Sequence, residues 1–269
     1  MSLLDVTNLS VKIEGTNVSL VEDINFSLRE NSCLGIVGES GSGKTMTCKG
    51  ILRLTSPKLI VSGQALYQGQ DILKMKKEPL RKLRGHHICM VLQDAMSAFD
   101  PLFTIGHQMA ETLIQNKGVS KTIAYQQSRI ALETMKIRLP EDVLLKYPHQ
   151  LSGGMLQRCM IALAVTMEPD IIIADEPTTA LDSINQYEVI RQLERLKEQF
   201  GTSLIFISHD LGIVKRLAND VLVMKEGGCV ESGSVKDIFR NPQHPYTQYL
   251  IQTRLDISQS FRAIKECAQ

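Results

Sequence analysis

The segment Gly38-Glu39-Ser40-Gly41-Ser42-Gly43-Lys44-Thr45 constrains this chain more than any other. It follows the apolar run Ser32-Cys33-Leu34-Gly35-Ile36-Val37, which reads as a buried strand. It precedes Met46-Thr47-Cys48-Lys49-Gly50-Ile51-Leu52, which reads as the start of a helix. Strand, glycine loop and helix in that order form the context in which a loop cradles phosphate. Glycines let the backbone turn tightly enough for several N–H groups to face one anion, and the helix N-terminus adds a favourable dipole. In such a loop Lys44 places its ammonium on the β- and γ-phosphates and the Thr45 hydroxyl ligates Mg²⁺.

A second signal is Ile171-Ile172-Ile173-Ala174, apolar enough for a strand buried on both faces, ending in Asp175-Glu176. Ligands in open α/β sheets sit at the carboxyl ends of strands. There Asp175 can hold Mg²⁺, mostly through water, and Glu176 can polarise an attacking water as general base. A third signal is Leu151-Ser152-Gly153-Gly154-Met155-Leu156-Gln157-Arg158. Ser152 is a good N-cap for a helix over 155–165, and Ser-Gly-Gly at a helix start is again an anion site. Two γ-phosphate sites on one chain make sense if the second serves a nucleotide bound to another copy.

The 269 residues suffice for one large or two modest domains. A net charge of +1 implies no broad basic face for nucleic acid. The longest apolar runs are too short to span a bilayer, and Met1-Ser2-Leu3-Leu4-Asp5 lacks the features of a secretory signal, so the expectation is a chain that stays in the cytosol. None of the six cysteines, Cys33, Cys48, Cys89, Cys159, Cys229 and Cys267, forms a C-x-x-C pair, and their spacing suits neither zinc nor a disulfide framework. Strands are expected at 4–13, 24–28, 61–67 and 87–93. Long helical patterns at 105–116 and 121–136 mark a helical insertion. From 171 to 224 strands and helices alternate, as in a mainly parallel α/β sheet flanked by helices. Asn241-Pro242 and His244-Pro245 open a tail with a short helix after it.

In order and spacing these motifs resemble the nucleotide-binding subunit of an ATP-binding cassette (ABC) transporter over residues 3–240. Walker A is Gly38–Thr45, Walker B runs from Ile171 to Asp175, and the signature from Leu151 to Met155. Gln93 matches the Q-loop glutamine, Ala180-Leu181-Asp182 the D-loop and His209, in Ser208-His209-Asp210, the switch histidine. The resemblance implies the P-loop NTPase ABC ATPase fold, with an N-terminal antiparallel β-subdomain and a helical subdomain at about 94–165 within a domain over 1–240. It implies ATP and Mg²⁺ as cofactors. Gly38, Glu39, Ser40, Gly41, Ser42, Gly43, Lys44, Thr45, Thr47, Gln93 and Asp175 would bind the nucleotide, with Mg²⁺ on Thr45, Gln93 and Asp175. Glu176, His209, Gln93 and Lys44 would carry catalysis. In that family two subunits sandwich two ATP molecules, so Ser152, Gly153, Gly154 and Asp182 would reach the ATP of the opposite subunit.

The finer resemblance is to the peptide/nickel importer branch. It rests on Gln93-Asp94-Ala95-Met96-Ser97-Ala98-Phe99-Asp100-Pro101, Thr104-Ile105-Gly106 and the tail His244-Pro245-Tyr246-Thr247. The signature and Ile173-Ala174-Asp175-Glu176-Pro177-Thr178-Thr179-Ala180-Leu181-Asp182 look most like nickel- or metallophore-import subunits of the nickel D type, with oligopeptide or dipeptide import as the alternative. Two transmembrane permease subunits, a second and different ABC ATPase subunit, and an extracytoplasmic substrate-binding protein are the implied partners, with no nucleic acid. The implied location is peripheral, on the cytoplasmic face of the inner membrane. Residues 98–106 would form the groove for a permease coupling helix, and 241–269 a family-specific tail.

Other readings are weaker. Cassette ATPases of DNA repair or translation usually carry two cassettes or long coiled-coil inserts, and a guanine-selecting GTPase needs N-K-x-D, whereas Asn116-Lys117-Gly118-Val119 lacks the Asp. His86-His87, read as part of a strand, would point to opposite faces and could not chelate together. Met155, Met160 and Met167 read as core packing. Some peptide-branch relatives hold an iron–sulfur centre in their C-terminal region; with only Cys229 and Cys267 here, no cluster is expected. Met155 stands where many cassettes have Gln, a replacement common in the importer branch. The family usually stacks an aromatic near positions 10–17 on adenine, but no aromatic precedes Phe26 here. Val11 or Ile13 would cover the base instead, without a stacking contribution of about 1 kcal/mol. Similar affinities for ATP and GTP are expected in equilibrium binding; a strong preference for ATP counts against this.

Overall fold

The computed structural model describes residues 2–179 and 181–253. Ala180 of the D-loop, Cys267 and the rest of the tail beyond 253 lie outside the described residues.

Alternating apolar and polar residues build β1 (Ser2–Ile13) and β2 (Ser19–Arg29). β3 (Cys33–Val37) is buried at every position and runs through the glycine loop into α1 (Lys44–Ile51). β4 (Leu59–Tyr67) and β5 (Gln70–Asp71) follow, then α2 (Lys77–His86) and β6 (Ile88–Val91). Five helices come next: α3 (Ala95–Ala98), α4 (Ile105–Lys117), α5 (Lys121–Thr134), α6 (Pro140–Leu145) and α7 (Gly153–Thr166). The chain continues through β7 (Ile171–Asp175), α8 (Ser183–Phe200), β8 (Ser203–Ile207), α9 (Leu211–Leu217), β9 (Asp220–Lys225), β10 (Gly228–Ser234) and α10 (Val235–Arg240). Residues 245–253 are helical. Thr104, Ser120, Ser152, Asp182, Asp210 and Ser234 each accept a first-turn amide of the helix they open, which is why those helices begin where they do.

Two compact units result. One comprises Ser2–Leu28, Cys33–Leu73 and the described residues from Ile207 onward. It holds an antiparallel sheet in the order β2-β1-β4-β5, with Leu4 opposite Tyr67 and Ile13 opposite Leu59. It also holds the run β10-β9-β3, in which β3 is parallel to β9 and β10 antiparallel to it. The other comprises Arg29–Ser32 and Lys74–Phe206. It holds the run β8-β7-β6, with β6 parallel to β7 and Ile88 opposite Ile171, and all the helices from α2 to α8. The expected α/β class, with mainly parallel strands, an N-terminal antiparallel sheet and flanking helices, is the fold observed.

Two local expectations change. The helix after the glycine loop begins at Lys44, two residues before Met46, because Gly43 at φ +98° turns directly into it. His87 is not in a strand. The backbone leaves helical geometry at Arg84 and Gly85, His87 caps α2, and β6 begins at Ile88. The two imidazoles therefore meet edge to face, 4.7 Å between centroids, and His87 Nδ1 lies 2.7 Å from Asp170 Oδ2. Met160 and Met167 are core residues. Burial pushes the Cys89 and Cys159 thiols up to about 12, out of the reactive range.

Gly63 marks the tightest point of the antiparallel sheet. The β1–β4 register shifts between Thr7 and Ser10, and Gly63, at φ +104°, would place a Cβ 2.4 Å from the Asn8 carbonyl oxygen and 2.8 Å from Leu9 Cα. Gly63→Ala is expected to cost about 1–3 kcal/mol and lower the thermal midpoint by several degrees in a calorimetric melt.

Candidate functional site

Each unit carries one group of predicted site residues. The first is the glycine loop between β3 and α1. Gly38, Gly41 and Gly43 all adopt positive φ, and a Cβ on Gly38 would lie 2.2 Å from the Met224 carbonyl oxygen and 2.8 Å from Ser42 Oγ. Only glycine permits that approach. Glu39, Ser40 and Gly41 are exposed, and no side chain caps the N-terminus of α1. The geometry is a concave run of amides at a helix start, suited to an anion. Lys44 is buried and its ammonium donates to the carbonyls of Gly38 (2.9 Å) and Glu39 (2.7 Å), with Ser42 Oγ at 3.5 Å. The charge is thus held over the loop that would carry phosphate. Thr45 is half-buried at the first turn.

Thr47 requires a correction. It is fully buried and its hydroxyl donates to the Gly43 carbonyl at 3.0 Å, so it braces the loop from within and does not face a nucleotide. Val11 is corrected in the same way. It lies in the core of the antiparallel sheet beside Gly50, with no exposed surface to cover a base, whereas Ile13 is half-buried. His209 belongs to this unit too. The Ser208 amide donates to the Ile36 carbonyl at 3.3 Å, which sets the exposed His209 near the end of β3.

The second group belongs to the other unit. Asp175 closes the fully buried β7 and is itself 2% exposed. Glu176 follows at φ +46°, a left-handed conformation rare for a residue with a side chain. Strain of this kind collects at functional positions. Glu176 Oε2 accepts from Gln93 Nε2 at 3.3 Å and from Thr179 Oγ1 at 2.9 Å. The structure therefore brings Gln93 and Glu176 together, and it adds Thr179, which the sequence reading did not single out. Thr179 lies three residues beyond Glu176, a spacing that could have suggested the contact. Gln157 on α7 donates to the Leu92 carbonyl at 3.1 Å and so ties the signature helix to the residue before Gln93.

Ser152 is exposed and caps α7 by accepting from the Met155 amide at 3.3 Å. A Cβ on Gly153 would meet nothing within 4 Å. Asp182 caps α8, accepting from the Ile184 and Asn185 amides at 3.0 Å and from Asn185 Nδ2 at 2.5 Å. The Asn185 amide, foremost, holds its carboxyl below the usual aspartate range. Asn185 Oδ1 in turn accepts from Arg158 Nη1 at 3.0 Å. Asn185, another residue the sequence reading missed, links the signature helix to the D-loop.

Comparison with known proteins agrees with this geometry. Residues 21–179 match the ABC transporter family, and residues 230–268 match the oligopeptide/dipeptide transporter C-terminal region. The chain belongs to the ABC transporter family. This cassette is 41% identical over 264 residues to the metal-staphylopine import system ATP-binding protein CntD of Staphylococcus aureus, covering 98% of this chain and 97% of that protein. It is 41% identical over 258 residues to the oligopeptide transport ATP-binding protein OppD of Salmonella typhimurium, covering 94% of this chain and 77% of that one. Among solved structures, the dimeric post-hydrolysis state of the ATP-binding cassette MJ0796, bound to ADP and Pi, superposes with a TM-score of 0.77 at 25% identity, covering 86% of this chain and 98% of that one. The cassette is an ABC transporter ATP-binding subunit of the oligopeptide/dipeptide/metal-staphylopine importer type, and an ATPase. Subunits of this kind generally work with transmembrane permeases and a substrate-binding protein. Among the described residues no helix is long and apolar enough to cross a membrane.

The Thr179 contact has a direct consequence. Thr179→Val keeps the shape and removes the donor to Glu176. It is expected to lower kcat for ATP hydrolysis about tenfold, the scale of one charge-assisted hydrogen bond, while leaving the dissociation constant for ATP within twofold.

Proposed function

We propose that this cassette hydrolyses Mg-ATP to drive import of nickel or another metal chelate, as one of two different ABC subunits on the cytoplasmic face of the inner membrane. What supports the metal reading is the 41% identity over 264 residues to the metal-staphylopine subunit, together with the likeness of the signature and of residues 173–182 to metallophore-import subunits; the oligopeptide subunit OppD is equally 41% identical, over 258 residues. Oligopeptide or dipeptide import is the second reading, favoured by the match of residues 230–268 to the oligopeptide/dipeptide C-terminal region. Residues 1–240 form the cassette domain, with a helical subdomain at about 94–165, and 241–269 form the tail.

In this reading the loop amides at Ser40, Gly41 and from Gly43 to Thr45, with the Lys44 ammonium, hold the β- and γ-phosphates, while the Glu39 and Ser42 amides are spent within the fold. The residue types suit Mg²⁺: Thr45 in one unit offers a hydroxyl, and in the other Asp175 offers a carboxylate and Gln93 an amide oxygen, its nitrogen being the atom given to Glu176. Mg²⁺, when bound, neutralises charge on the phosphate oxygens. Glu176 takes a proton from the attacking water as general base, and Gln93 and Thr179 orient its carboxylate. His209 contacts the γ-phosphate and positions that water. Ser152, Gly153, Gly154 and Asp182 close on the ATP of the partner cassette. The open space at Gly153 supports this, because no described residue lies within 4 Å of a Cβ there. Closure moves the helical subdomain, and the exposed Met96, Leu102 and Phe103 offer an apolar seat in and beside the groove at 98–106 for a permease coupling helix.

The experiment is ATP hydrolysis by the cassette assembled in lipid with its permeases and second cassette. The extracytoplasmic binding protein is added with nickel, free or chelated, or with short peptides. Stimulation by the metal-loaded form alone establishes metal import, and stimulation by peptide alone moves the cargo to peptides. Glu176→Gln is expected to lower turnover by about 10²–10⁴-fold with ATP binding retained. Hydrolysis at the wild-type rate in that variant sinks the base assignment.

A further inference from the structure

The unit that carries the glycine loop also carries the described part of the tail, and one hydrogen bond joins them across 207 positions of sequence: the Glu39 amide donates to the Tyr246 hydroxyl oxygen at 3.0 Å. Glu39 is the first residue of the loop beyond the Gly38 turn. Its carbonyl is equally committed, accepting from the Lys44 ammonium at 2.7 Å and from the Ser42 amide at 3.2 Å. The residue gripped by the tail is therefore also the one that holds the phosphate-binding lysine.

Tyr246 is not a loosely attached tail residue. It is 8% exposed, and the Lys225 ammonium lies 5.3 Å from its ring centroid. Lys225 follows Met224, whose carbonyl oxygen sets the space limit at Gly38, and the nearby Gly227 amide donates to the Ser42 carbonyl at 3.2 Å. The segment before Tyr246 is pinned to β10. The two oxygens of Glu231 accept from the Gln243 amide at 2.8 Å and the His244 amide at 3.0 Å, and His244 Nδ1 accepts from the Tyr246 amide at 3.1 Å. Burial works against ionisation of Glu231, but the Gln243 amide, the Thr247 side chain and His244 together outweigh it and hold its carboxyl below the usual glutamate range. Burial raises the Tyr246 phenol above its ordinary value, so near neutral pH its hydroxyl is uncharged.

We propose that Tyr246 is a positioning residue for nucleotide binding: its hydroxyl fixes the Glu39 turn, so the Gln243–Thr247 segment sets the affinity of the glycine loop for the triphosphate. The inference rests on the ATPase reading above. A loop whose amides are already aligned loses less freedom when the anion arrives, so holding one end of it raises affinity without adding a ligand contact. The coupling is reciprocal, and nucleotide in the loop must steady the tail segment to the same degree.

Tyr246→Phe is the sharp test, since it keeps the ring beneath Lys225 and removes only the acceptor oxygen. In the purified full chain, KM for ATP and the equilibrium dissociation constant for Mg-ADP are expected to rise about 3–10-fold, the scale of one hydrogen bond, with kcat within twofold. Glu231→Gln, which weakens the pin at 243–244 without touching the loop, is expected to move KM in the same direction. Hydrogen exchange at 243–249 is expected to slow when Mg-ADP binds the wild type and to respond less in Tyr246→Phe. If both variants only lower the melting temperature, with KM and the nucleotide-dependent exchange unchanged, Tyr246 is a packing residue and the proposal is overturned. If the wild type binds no adenine nucleotide, the ATPase reading falls first and takes this one with it.

Discussion

A buried cation governs the arrangement of the nucleotide loop. Lys44 is 6% exposed, and an ammonium removed from water costs several kcal/mol unless its donors are met. They are met by the carbonyls of Gly38 and Glu39, and those carbonyls point inward only because the backbone turns through positive φ at Gly38, Gly41 and Gly43. The turn at Gly38 in turn depends on the Met224 carbonyl lying where a side chain would otherwise be. The buried β3 and its parallel pairing with β9, from Leu34 opposite Asp220 to Val37 opposite Val223, bring that carbonyl into place. Strand burial, glycine geometry and the position of the lysine are thus one constraint seen at three scales.

In the other unit the organising element is the strained Glu176. Its left-handed backbone turns the chain sharply just after the fully buried β7. Thr179 and Gln93 hold one carboxylate oxygen, and Gln157 holds the carbonyl just before Gln93. Arg158, the next residue on the signature helix, reaches Asn185 and through it Asp182. Two consecutive side chains of α7 therefore touch the structures around Gln93 and around the D-loop. A displacement of α7 has a physical route to both.

The residues whose roles follow from local backbone were legible in the sequence. The glycine loop, the apolar runs that became β3, β7 and β8, and the serine and aspartate caps each depend on near neighbours. Misreadings arose where a side chain's role depends on phase or on distant partners. Thr45 and Thr47 are two helical positions apart, about 200° around the axis, so both cannot face the same ligand once the helix starts at Lys44. Val11 shares a strand face with the fully buried Leu9, which the alternation of β1 could have revealed. His87 found Asp170 across 83 positions, and Tyr246 found Glu39 across 207. No local pattern encodes those pairings.

The glycines of this cassette answer to different judges. Gly38 is enforced by an atom of its own chain, so any side chain there disturbs folding itself. Gly153 faces open space at the tip of α7, where an added methyl group meets none of the described residues. A copy of the gene released from its transporter, yet still selected to fold, would lose Gly153 to mutational drift long before it lost Gly38.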